Sequence, residues 1–190
     1  MPSSMPSRST VIRSLHDLGA AAWFGGSLMG AVGLNGAGAA VRDPQDRARV
    51  SATGWAKWAP VNAAAIGAHL LGGGAILYNN RKRARYQSGV TSNTAAKLAV
   101  TGAALGATAY SGALGAKVAQ ADGHPAAGAT EPSPSTPDQA ATAQKQLKYL
   151  QWALPLLTGT ILILGAQQGE QQRPSQMISG FGNKLTRKAS

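Results

Sequence analysis

No cysteine occurs in the 190 residues, so no disulfide can staple the fold and no thiolate can ligate a metal. Acidic side chains are scarce too: 7 Asp or Glu stand against 18 Lys or Arg, for a formal net charge of +11. An excess of that size is met either by nucleic acid or by an anionic membrane surface. Large aliphatics are also few. Leu, Ile, Val and Phe number 34 of 190, below what a soluble globular core requires, which excludes a large soluble domain. Ala and Gly fill the gap with 37 and 24 residues, or 61 together.

The charges are segregated. Residues 18–41, 58–80, 98–116 and 149–169 contain no Asp, Glu, Lys or Arg, and each run is long enough for a helix to cross about 30 Å of hydrocarbon. The fold class predicted is therefore all-α, an integral membrane protein with four transmembrane helices and both termini cytoplasmic. Residues 1–14 form a cytoplasmic segment, 15–41 the first span, 42–57 an extracytoplasmic loop and 58–80 the second span. Residues 81–97 follow as a basic cytoplasmic loop, 98–116 as the third span, 117–148 as a second extracytoplasmic loop, 149–169 as the fourth span and 170–190 as a basic cytoplasmic tail. Trp55, Trp58, Tyr78, Tyr149 and Trp152 flank the second and fourth spans at headgroup level. Pro60 is placed in the first turn of its helix, where its missing N–H is harmless.

Orientation follows from Lys and Arg. The N-terminus, the 81–97 loop and the tail hold 11 positive residues, with Glu170 in the tail and Asp17 at the mouth of the first span as the acidic ones on that side, against 7 positive and 5 acidic in the other two loops. An uncleaved first span explains the N-terminus better than a signal peptide, because its apolar run of 24 residues far exceeds a signal core of about 7–15. The location is the plasma membrane, multi-pass.

Between the spans, residues 126–138 are rich in Pro, Ser and Thr and poor in apolar side chains, so this stretch is expected to be disordered, a solvated tether. Arg81-Lys82-Arg83-Ala84-Arg85 would suit nucleic acid in a soluble protein; directly after a span it marks the cytoplasmic side instead, and no nucleic-acid partner is expected. Met177, Ile178, Phe181 and Leu185, beside Lys184, Arg187 and Lys188, suit a tail lying on anionic headgroups. Gly26-x-x-x-Gly30 and Gly102-x-x-x-Gly106 give small-residue faces for helix packing, within one bundle or between subunits.

Ionisable groups at membrane depth are the functional candidates. His69 falls about 16 Å from either end of its span, whereas His16 and Asp17 fall at the mouth of theirs. The two histidines are expected to differ in depth by about 10 Å or more, which disfavours one iron held by both. Arg13 and Asp17 have the i,i+4 spacing of a helical pair. His69 is expected to hydrogen-bond a neighbouring helix.

The run His16-Asp17-Leu18-Gly19-Ala20-Ala21-Ala22-Trp23-Phe24-Gly25-Gly26 resembles the opening helix of small four-helix membrane families, the copper-resistance D-type proteins and the membrane protoporphyrinogen oxidases. In their haem-binding members the first histidine is a ligand, so the resemblance implies haem b at His16, with His69 as a further candidate. The Ala/Gly-rich style resembles membrane proteins of high-GC actinobacteria. With no cysteine and no clustered Met, copper is not expected, and no metal site is assigned. Two functions remain open: a non-enzymatic accessory or scaffold subunit beside other membrane proteins, or a haem-binding redox or porphyrin enzyme using His16. With one deep ionisable residue and no internal repeat, a small transporter is disfavoured.

Overall fold

The computed structural model describes residues 8–84, 88–121 and 123–171; the first seven residues, Arg85 and the expected membrane-surface tail beyond 171 lie outside it. The described residues are helical throughout apart from two connections, 40–43 and 120–137, and no strand forms among them. Helix α1 (Arg8–Met29) runs through a π-helical turn (Gly30–Leu34) into α2 (Asn35–Ala39). Met29, Leu34 and Asn35 keep right-handed helical backbone angles, so these three pieces make one continuous rod. The others are α3 (Pro44–Ala84), α4 (Ser88–Ala119) and α5 (Asp138–Gln171).

The start of α3 is written locally. Asp43 caps it, its Oδ1 accepting from the Gln45 backbone N–H at 3.0 Å, and Pro44 occupies the first helical position, where no N–H is needed. Asp46 in the first turn pairs with Arg49. The helix thus begins well ahead of the charge-free run. Most of the expected 42–57 loop is helix, and Pro60 lies in the interior of α3 rather than in its first turn. Capping chemistry sets where a helix starts; the absence of charge marks only what it can bury in lipid.

The four rods alternate up and down, leaving Arg8, Ala84, Ser88 and Gln171 at one end of the bundle. The α1 rod packs closely on α3, α4 packs on α5, and α1 meets α5. The seam between α3 and α4 is much the thinnest. Ala20, Trp23, Ala104 and Ile161 form the central apolar layer, and Leu114, Val118 and Ala143 a second one.

The distribution of side chains is inverted relative to a soluble bundle. Apart from Trp23, Leu114, Val118 and Ile161, the buried side chains are small or polar, among them Ser51, His69, Gln144 and Thr158. Large aliphatics point outward on every rod: Leu18 and Val32 on the first, Leu71 (78% exposed) on α3, Leu98 on α4, Leu156 (72%) and Ile163 on α5. Two helices, over Pro44–Asn79 and Asp138–Gly169, are long and apolar enough to cross a membrane.

Residues 123–137 of the second connection are tied down by hydrogen bonds, contrary to the disorder expected of 126–138. Ser133 Oγ and Thr136 Oγ1 donate to the Pro125 carbonyl at 2.7 and 2.9 Å, and the Ala126 N–H reaches the Pro44 carbonyl at 3.0 Å. Gln144 Nε2 on α5 donates to the carbonyls of Gly128 and Ala129. Ala126, Ala129 and Thr130 are buried. Composition pointed to disorder because it scores side-chain hydrophobicity, whereas this segment is held by hydroxyl-to-carbonyl bonds and by alanines lodged against helix ends.

Candidate functional site

Glycines determine how α1 and α3 meet. A Cβ at Gly19 would collide with the backbone of Ala65 and His69, and one at Gly72 with the backbone of Ile12 and His16. Further along, Gly26 lies beneath the Trp58 indole and Gly30 beneath that of Trp55. The close approach lets two histidines exchange bonds across the interface. His16 Nδ1–H donates to the His69 carbonyl at 2.8 Å, and His69 Nδ1–H donates to the His16 carbonyl at 3.1 Å. Because both acceptors are carbonyls, the proton of each ring sits on Nδ1, leaving each Nε2 an acceptor. The rings stack with centroids 4.1 Å apart and planes at 20°.

The depth difference expected from the charge-free runs is therefore overturned: the two histidines share one level. His16 precedes Arg42 by 26 residues and His69 follows it by 27, so continuous antiparallel helices must bring them together. Both sit in the same short pattern, His16-Asp17-Leu18-Gly19 and His69-Leu70-Leu71-Gly72, with each histidine packed near the other pattern's glycine. That repeated His-x-Leu-Gly is the sequence signal that could have found the pair.

Lys97, on α4, is the residue missed. Its Nζ donates to His16 Nε2 at 2.8 Å. Among the described residues it has no other hydrogen-bond acceptor and no carboxylate in ion-pair range. The cluster faces a cavity of about 600 Å³ along the thin α3–α4 seam, walled by Leu70, Leu77, Leu98 and Ile161, with Arg13 and Asp17 at its exposed rim. On the side away from the cavity, Trp23 (1% exposed) sets its indole edge-on to His69 and donates from Nε1 to Thr108 Oγ1 at 3.2 Å.

A haem held by His16, or by both histidines together, does not fit these atoms. Two axial ligands must approach one iron from opposite faces of a macrocycle. Rings stacked at 4.1 Å leave no room for a macrocycle between them, and His16 Nε2, its remaining donor atom, is taken by Lys97. Among the described residues no three of His, Asp and Glu gather as metal ligands. His124 lies in the second connection, its Nδ1 within 3.2 Å of the Ala121 carbonyl, away from the pair.

The opposite end of the bundle is bonded differently. Asn35, brought inward just after the π-helical turn, donates to Gln151 Oε1 and accepts from Trp55 Nε1, both at 3.0 Å. This ties the first rod, α3 and α5 beneath the ordered connection. No protein-family model, curated protein or solved structure matches this chain.

Proposed function

We propose that the chain is a four-pass plasma-membrane protein, both termini cytoplasmic, that acts as a non-enzymatic accessory or scaffold subunit of a membrane complex. The inverted distribution of side chains carries this reading. Large aliphatics are exposed on all four rods, α1 and α4 included, while most buried side chains are small or polar, and His16, His69 and Asn35 bond across helices. Hydrocarbon is the solvent in which such a surface is stable, since lipid accepts the aliphatics and interhelical hydrogen bonds satisfy the polar groups. The histidine pair supports the non-enzymatic part. Both Nδ1–H groups are committed to backbone carbonyls of the neighbouring helix, which makes the pair a clasp between rods.

The absence of cysteine gives a clean test of topology. Asp43→Cys in intact cells reacts with a membrane-impermeant maleimide, whereas Lys82→Cys reacts only after permeabilisation. The reverse pattern overturns the orientation with cytoplasmic termini, and equal labelling overturns the crossing of α3 and with it the four-pass arrangement. For the accessory role, cross-linking before extraction in mild detergent brings down stoichiometric membrane partners, and a lone monomer under those conditions overturns it.

A further inference from the structure

We infer that the cavity on the α3–α4 seam binds an amphiphile with a single negative head group, which seats its head on Lys97 and lays its apolar tail along α3 and α4. Lys97 carries three N–H donors, of which His16 Nε2 takes one. The remaining donors belong to an ammonium that no carboxylate among the described residues contacts directly, Asp17 at the rim attracting it only from beyond ion-pair distance. Beyond it the walls turn apolar at Leu70, Leu77 and Leu98. The volume, about 600 Å³, falls within the range that holds a small-molecule ligand.

Among the described residues, Lys97 is the cation at the inner part of the cavity, with Arg13 and Asp17 at the exposed rim. One ammonium is matched by one negative charge, so a monoanion is the class of head group that fits it. His16 holds the ammonium in place: its Nδ1–H is anchored on the His69 carbonyl, so Nε2 presents a fixed lone pair to Lys97. The clasp between α1 and α3 thereby positions the cation on α4. A fatty-acid carboxylate and a singly charged phospholipid share this chemistry. The proposal rests on the four-pass reading only for the side of the membrane from which the ligand enters.

The test uses the full-length protein in dodecyl maltoside and a fluorescent polyene fatty acid, with its methyl ester as an uncharged twin. The acid binds saturably with one site per chain, and the ester binds weaker by roughly tenfold or more, the scale of a charge-assisted hydrogen bond. Lys97→Met weakens the acid by a similar factor and leaves the ester unchanged, and Lys97→Arg restores most of the affinity. Gly74→Leu abolishes binding of both, because a Cβ there meets nothing within 4 Å and the added side chain fills the cavity without a clash in the fold. Displacement by unlabelled palmitate or by phosphatidylglycerol identifies which source of monoanion the site prefers. Equal binding of acid and ester, indifference to Lys97→Met and Gly74→Leu in folded protein, or displacement by acetate alone overturns the proposal. Binding in detergent does not depend on orientation or on partners, so a failed topology test and a failed ligand test are told apart.

Discussion

The same small-residue spacing occurs on two helices and is used in opposite ways. Gly26 and Gly30 on the first rod lie beneath the indoles of Trp58 and Trp55, so that large rings fill the notch the glycines leave. Gly102 and Gly106 on α4 have nothing within 4 Å of where a Cβ would sit. One pair is half of a packed interface and the other is bare surface. Four residues of spacing place two glycines on one face, but only a knob on the partner helix at matching depth turns that face into a contact. On α3 the knobs are tryptophans three residues apart, one helical step facing the first rod.

Substitution at Gly19 is the severest way to probe the packed side. There the obstacle is backbone, the Ala65 carbonyl and the His69 amide, which cannot swing aside as a ring can. Gly19→Val should destabilise the purified protein by roughly 3 kcal/mol or more, at the upper end of overpacking, and should break the histidine clasp with it. Denaturant unfolding in detergent followed by circular dichroism measures this. A loss below about 0.5 kcal/mol would mean that the two helices do not approach as closely as the glycines require.

How much of this was legible follows from where each signal resides. The helices were legible because charge-free runs are a property of composition, and the start of α3 was written in Asp43-Pro44, a cap followed by a proline that needs no donor. The histidine pair was legible as well, through the nearly equal distances of His16 and His69 from the turn and the repeated His-x-Leu-Gly, but depth measured from the hydrophobic runs concealed it. Lys97 was not legible. It lies 81 residues from His16 and on the rod that meets α3 most thinly, so nothing short of the folded bundle brings its Nζ to that ring. The order in the second connection was equally hidden. It depends on Gln144 of α5 reaching back to the Gly128 and Ala129 carbonyls, a pairing that local composition does not encode.

Gly26→Ala is a milder probe of the same interface. The added methyl falls on the Trp58 ring, a side chain able to rotate, so the expected loss is about 1–2 kcal/mol. Pairing it with Trp58→Leu sharpens the comparison, since the smaller side chain vacates the space the methyl needs. The double variant should recover about 0.5 kcal/mol or more relative to the sum of the singles. Strict additivity would mean that the indole does not fill the Gly26 notch.

The smallest effect carries the opposite sign and falls on the bare pair. Gly102→Ala and Gly106→Ala add a methyl where nothing stands to be displaced, while removing two residues that weaken a helix interior. Each should stabilise the isolated protein by about 0.5–1 kcal/mol, the difference in helix propensity between glycine and alanine. Thermal unfolding of the two variants beside Gly26→Ala, in one detergent, makes the comparison direct. The same chemical change should raise the midpoint on α4 and lower it on the first rod. If Gly102→Ala lowers it as well, the α4 glycines face a packed neighbour, and the difference between the two pairs collapses.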